Sequence, residues 1–187
     1  RQEVDGVPYW PARIPAELNE SPQDAPSQFT RAAWCYGTPG VALTLVRVGL
    51  LLDESKIIDT AVETLIGHLQ VSEYEWRLDG PTFCHGYAGT LHILHRIWFM
   101  CGDERLRQLA VKMATKLIKN MVETDTPFLF RHWVPDSPEG WRKAHTFSHL
   151  DSIGLLEGAA GVAAVLYTLS EMDSHDMPAW DRVFGLS

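Results

Sequence analysis

Three Gly-x-x-Gly turns, each opening an apolar helix, constrain this 187-residue chain more than any other feature. They read Trp34-Cys35-Tyr36-Gly37-Thr38-Pro39-Gly40, Phe83-Cys84-His85-Gly86-Tyr87-Ala88-Gly89 and Leu156-Glu157-Gly158-Ala159-Ala160-Gly161. The first two copies carry cysteine in the same register. The third has Leu156 and Glu157 where the second has thiol and imidazole, so it repeats the scaffold without that chemistry. A turn that recurs with the same apolar pattern behind it is a structural repeat, and one repeat cannot bury its own inner helix.

The repeat unit is a buried helix followed by a surface helix. From Thr38 the chain runs Val41, Leu43, Leu45, Val46, Val48 and Leu50 to Leu52, apolar nearly all round, with Pro39 suited to a first turn. Residues 54–71 alternate at helical period, with Ile57, Ile58, Ala61, Val62, Leu65, Ile66 and Leu69 against Glu54, Lys56, Asp59 and Glu63. The pair recurs over 87–101 and 103–122, with Gly102-Asp103 as stop and restart, and a third apolar helix is expected over 159–172. Its outer partner would begin near residue 179. The glycines that open the turns lie 49 and 72 positions apart, so the second unit carries an insertion, placed at 124–153. Within it Phe128–Val134 alternates weakly ahead of Pro135-Asp136-Ser137-Pro138-Glu139-Gly140, Trp141 and Arg142, which fits a hairpin or an irregular flap.

Ahead of the repeats, residues 1–28 hold Pro8, Pro11, Pro15, Pro22 and Pro26, five of the eleven prolines, with neither helical nor strand periodicity. A coil or lead-in is expected there, followed by one domain over 29–187. Stacked helix pairs make either an open solenoid or a closed ring, and inner helices apolar on all sides favour the ring. The expected fold is all-α: a partial ring of about three helical hairpins with a short β insertion. The chain begins at Arg1 and a helical pattern starts near Trp180 just before its end, so both ends are expected to be cut.

At 45% hydrophobic the chain can bury a substantial core, and its apolar stretches are interrupted by Arg47, His92 and Arg96. Any membrane contact is therefore expected to be peripheral. A net charge of −8 without a basic stripe argues against a nucleic-acid partner. Three cysteines, an odd number without a disulfide-like spacing, point to a reducing compartment, the cytoplasm.

If successive units stack in register, Cys35 and Cys84 fall at equivalent rims of adjacent inner helices, and His85 follows in the same turn. Adjacent residues on a helix point about 100° apart and could not share an ion, but in the non-helical turn before a helix they can. Two thiolates and one imidazole leave one position open on Zn²⁺, the arrangement of a catalytic rather than a structural site. The plain alternative is a small buried thiol before an apolar helix. Arg31, four residues before Cys35, either steadies an oxyanion at the same rim or is a surface charge. Tyr36 and Tyr87 either line a pocket or pack. Cys101 reads as a packed thiol, and His92 and His95 as core or cavity-lining residues too far along their helix for the same ion. His132, His145, His149 and His175 are expected in loops.

These three ordered motifs resemble the C-terminal portion of the lanthionine synthetase C-like cyclases, over roughly residues 30–172. The resemblance implies an α/α toroid with one zinc held by Cys35, Cys84 and His85. The implied enzyme closes thioether rings by adding peptide cysteines to dehydroalanine or dehydrobutyrine. It also implies that Arg31, matching the family's arginine before the first ligand cysteine, stabilises the enolate. A dehydrated precursor peptide with its leader, and the dehydratase and transporter of the same pathway, are the implied partners. The family's proton-transferring histidine and aspartate belong to earlier repeats, expected here on a separate segment or chain. Two other readings stay open beside it: zinc-dependent addition of glutathione or another small thiol to dehydrated peptides, and a non-catalytic toroid scaffold.

Overall fold

A computed structural model describes residues 1–12, 29–121, 126–136, 146–171 and 178–186. They fall into two compact units, Arg1–Arg77 and Leu78–Ser187. The lead-in prolines Pro15, Pro22 and Pro26, the stretch Pro138–Arg142, His145 and His175 lie outside the described residues.

The first unit departs from the expected coil at its start. Residues expected as coil form an antiparallel hairpin, β1 (Gln2–Val4) with β2 (Val7–Tyr9), in the register Gln2↔Tyr9 and Val4↔Val7. Its turn is Asp5-Gly6, with φ of 50° and 77°, the double left-handed conformation that a two-residue hairpin requires and that Asp-Gly supplies. Behind it, α1 (Thr38–Leu52) and α2 (Ser55–Gln70) pack as a helical hairpin, and β2 lies on α2. The two helices approach so closely at Gly49 that a Cβ there would sit 2.6 Å from Ile58 Cγ1. α2 buries the expected stripe, Ala61, Val62, Leu65, Ile66 and Leu69. α1 is less enclosed than its composition suggested: it buries Ala42, Leu43 and Val46 but exposes Leu50, Leu51 and Leu52. A one-turn helix, α3 (Glu73–Trp76), completes the unit. His68 is wholly buried on α2, its ring stacked on Phe29 at 5.1 Å, and burial pushes its pKa down to about 4.

The second unit is built on α4 (Tyr87–Cys101), buried at every position from Ala88 to Ile97. The amphipathic α5 (Glu104–Lys119) packs along it, started by Asp103, whose side chain accepts from Arg105 N–H at 2.9 Å. α6 (Ala159–Ser170) packs on α4 as the third expected apolar helix. The insertion is a hairpin, β3 (His132–Pro135) antiparallel to β4 (Phe147–Leu150), with Trp133 opposite His149. Its second strand therefore lies beyond Trp141 and Arg142, and His132 and His149 are strand residues rather than loop residues. Trp133 stacks on His149 at 5.0 Å, and its indole fills the space a Cβ would need at Gly80, which has φ of +64°.

Near residue 179, where an outer helix was expected, a short 3₁₀ helix (Trp180–Phe184) ends at Gly185 with φ of 68°. A fully buried ion pair holds it down. Asp181 receives two hydrogen bonds from Arg96 on α4, both 2.8 Å, and its Oδ2 lies 2.6 Å from His92 Nε2. Trp180 donates its indole N–H to Thr168 on α6 at 2.8 Å. The expected core histidine His92 thus has a carboxylate partner 89 residues away. Burial lowers its pKa, against the opposing effect of Asp181.

Candidate metal centre

Cys84 and His85 sit in a loop, residues 80–86, whose shape is set by backbone. The first amides of α4 are capped by its carbonyls: Tyr87 N–H donates to Gly80 O at 2.9 Å and Ala88 N–H to Pro81 O at 3.3 Å. The loop folds back so far that a Cβ at Gly86 would meet Thr82 O at 2.5 Å. Gly86 has an ordinary extended φ of −116°, so glycine is needed for space and not for torsion. Asp79 N–H donating to His85 O at 2.9 Å closes the loop from its other end.

This non-helical path brings the two side chains together as the sequence pattern required. Cys84 Sγ lies 3.6 Å from His85 Nε2. Two ligands of a tetrahedral zinc, at about 2.3 Å for sulfur and about 2.0–2.1 Å for nitrogen, stand about 3.6 Å apart. The separation, the donor types and the partial exposure of His85 beside a buried Cys84 therefore fit a zinc ion without rearrangement of this pair.

The third turn is locked to the second. Cys84 N–H donates to Leu156 O at 2.8 Å, so residues in equivalent register of consecutive turns are joined directly. Gly161 is pressed against Phe83, where a Cβ would come within 2.8 Å of the Phe83 Cβ. Glu157, register-equivalent to His85, has Oε1 3.9 Å from His85 Nδ1 and Oε2 3.8 Å from His132 Nε2. Burial lowers the His132 pKa, with Glu157 acting to raise it and His85 to lower it.

Arg31 and Cys35 belong to the first unit and share the loop that leads into α1. That loop has the same fold-back: Gly37 closes on the Arg31 carbonyl, here with φ of +99°, which glycine alone adopts readily. Ala32 N–H donating to Trp76 O at 2.8 Å anchors it to α3, while Thr30 donates to Trp10 O and Thr38 accepts from Trp10 N–H, both at 3.1 Å. Cys35 is partly exposed and Tyr36 is exposed. Cys101 is a packed thiol as expected, donating to Ile97 O at 3.1 Å, with its pKa raised by burial. His95 lines a cavity of about 190 Å³ with Leu91, Trp98 and Leu169, and burial holds its pKa near 4. Sequence reasoning found the thiol and imidazole but missed the carboxylate beside them. Its signal was present, since Glu157 occupies the register position of His85.

A family model for lanthionine synthetase C-like proteins matches residues 2–184. The chain belongs to that family. It is similar to the nisin biosynthesis protein NisC of Lactococcus lactis subsp. lactis, with 35% identity over 77 residues, 41% of this chain and 18% of that protein. Among solved structures it resembles nisin cyclase, with a TM-score of 0.61 and 21% identity, over 91% of this chain and 36% of that one. The fold class is the all-α, α/α-toroid class expected from the repeats, with the two short hairpins as minor additions. The chain spans about a fifth of the curated relative and about a third of the solved one. Among the described residues no helix is long and apolar enough to cross a membrane.

Proposed function

We propose that this chain provides the zinc-holding part of a cyclase that closes (methyl)lanthionine rings in a dehydrated precursor peptide carrying its leader. The observation that carries the reading is the 3.6 Å approach of Cys84 Sγ to His85 Nε2 in a loop fixed by backbone hydrogen bonds. Cys35 is the third ligand in this reading. It stands in the same register as Cys84, and the one pair of consecutive turns within a single unit joins its register equivalents directly, Cys84 to Leu156. The same register one repeat earlier is the ground on which Cys35 is assigned to the site.

Zinc held by Cys35, Cys84 and His85 would supply a cation that lowers the pKa of a substrate thiol, making thiolate available at neutral pH. The chain's own residues do the rest. The loop glycines Gly37 and Gly86 let each turn fold back on its own backbone, which fixes the path that carries Cys35 and the Cys84–His85 pair. The substrate cysteine sulfur bonds to the β-carbon of dehydroalanine or dehydrobutyrine, the carbon–carbon double bond breaks, and the electron pair passes to the enolate. The Arg31 guanidinium, on the same loop as Cys35, offers fixed donors to that enolate oxygen. The α-carbon takes up one proton for the one the thiol released, so the ring closes with no net proton consumed. None of the three cysteines is in a disulfide, which supports a reducing, cytoplasmic setting, with the dehydratase and transporter of the same pathway as partners.

Metal analysis tests this directly. The purified chain is expected to hold one zinc, and Cys84→Ala or Cys35→Ala to hold almost none. Arg31→Ala is expected to keep its zinc while losing about 100-fold in thioether formation, read by mass spectrometry as thiols protected from alkylation. An unmodified chain that takes up no zinc ends the reading. A product carrying an added small thiol in place of a ring would reassign the substrate.

A further inference from the structure

We propose that Glu157 is the positioning residue for His85: its carboxylate accepts the Nδ1–H and so presents Nε2 to the metal. The inference rests on the zinc reading above and on contacts within the second unit. His85 turns Nε2 toward Cys84 Sγ, which leaves Nδ1 on the opposite edge of the ring, and the carboxylate nearest that edge is Glu157 at 3.9 Å. An imidazole ligates through one nitrogen only when the proton resides on the other, and the group that accepts that proton decides the tautomer. Glu157 is placed to be that group. Its backbone is fixed to the site by the Cys84–Leu156 hydrogen bond, while its side chain is 54% exposed and so free to close the last ångström to hydrogen-bonding distance.

The other carboxylate oxygen faces His132 Nε2 at 3.8 Å. His132 lies on β3, the strand that also seats Trp133 over Gly80 at the start of the Cys84 loop. The insertion therefore faces the other side of Glu157, and the third turn is a working partner of the second: where the second repeat supplies a ligand, the third supplies the acceptor behind it.

The test is zinc affinity of the 187-residue chain by competition with a chromophoric chelator, for the parent, Glu157→Ala, Glu157→Asp and Cys84→Ala. Glu157→Ala is expected to bind zinc 10–100-fold more weakly than the parent, and Glu157→Asp to recover part of the loss. Long-range proton–nitrogen NMR of the zinc-loaded parent is expected to show His85 protonated at Nδ1, with that proton exchanging faster in Glu157→Ala. A thermal melt confirms that the exposed substitution leaves the fold intact. Parent and Glu157→Ala affinities within twofold of each other, beside a Cys84→Ala variant that has lost its zinc, overturn this proposal alone. A parent without zinc affinity overturns it together with the metal reading.

Discussion

The loop at 80–86 and the loop at 152–158 deliver the chain to α4 and α6 through matching hydrogen bonds. Tyr87 N–H reaches back seven residues to Gly80 O and Ala159 N–H seven residues to Ser152 O, both at 2.9 Å. Gly86 and Gly158 are enclosed by the residues four and six places earlier in each case. The side chains differ completely. The first loop carries Cys84 and His85 directly after Phe83, which lies under an aromatic cover, meeting Trp180 at 5.3 Å and Phe184 at 5.6 Å. The second carries Leu155, Leu156 and Glu157, all exposed. Backbone contacts and one small residue thus fix the turn, and the positions just before that glycine are free to take chemistry in one repeat and to support it in the next.

The widest gap between the two turns comes from the cover over the first, which hangs on Asp181. Removing this carboxylate leaves Arg96 buried without its partner and releases the 3₁₀ helix from Phe83. Asp181→Ala is expected to lower unfolding free energy by about 3–5 kcal/mol in urea titrations, because the remaining charge is uncompensated. Asp181→Asn should cost less. If Asp181→Ala moves stability by under 1 kcal/mol, the cover is not what distinguishes the two loops.

The shared backbone predicts equality elsewhere. A methyl group at Gly86 would press on Thr82 N and O at 2.5–2.6 Å, and one at Gly158 on Ser152 O and Gly154 O at 2.5–2.7 Å. Each Gly→Ala variant should lose roughly 3 kcal/mol, by overpacking against backbone that cannot move aside. Unequal losses would mean that the loops differ in stiffness, not only in side chains.

Much of this was legible in the sequence, because the repeat shows in composition. Glycine at a fixed offset before an apolar helix has a steric cause, and Cys84 and His85 stood where only a non-helical path could bring them together. What was not legible depends on long-range pairing. Nothing local in Trp180–Phe184 marks Asp181 as the partner of Arg96, 85 residues earlier, and without that pair the segment reads as the start of a surface helix. The same holds for His132 and His149, whose strand pairing spans a connection that carries Pro138 and the charges of Asp136, Glu139, Arg142 and Lys143. The hairpin at Gln2–Tyr9 was a different kind of miss: Asp5-Gly6 is a local signal, outweighed by five prolines in the first 28 residues. Glu157 was legible only as the register equivalent of His85, and its 3.9 Å distance from His85 Nδ1 is what gives it a part.

α4 and α6 also differ in how they meet acid. α4 buries His95, whose pKa is held near 4 against an ordinary 6.5 by burial, then by His92 and Arg96, whereas α6 carries no histidine. Between these values the unfolded chain binds a proton that the folded chain refuses, so stability is complete above about pH 6.5 and falls as pH drops toward 4. His68, also near 4, adds a parallel loss in the first unit. The expected decline is on the order of 1–3 kcal/mol per histidine, measured as urea midpoints across that range. His95→Leu should flatten the slope, and an unchanged slope would place the acid response in groups other than His95.

The smallest effect is the most direct exchange between the two turns. Phe83 and Leu155 are register equivalents, one fully buried among His92, Trp180 and Phe184, the other 38% exposed. Phe83→Leu keeps an apolar side chain but gives up the edge-to-face contacts and leaves a gap under the 3₁₀ helix, at a cost of about 1–2 kcal/mol. Leu155→Phe adds a ring at a partly open site and should stay within about 0.5 kcal/mol of the parent. The asymmetry is the measurement. Were the two substitutions to cost the same, Phe83 would be filling space that any large apolar group fills, and the aromatic cover would be incidental to the loop that holds Cys84 and His85. A cost confined to Phe83 instead ties the cover to the metal loop, since Phe83 directly precedes Cys84 in the chain.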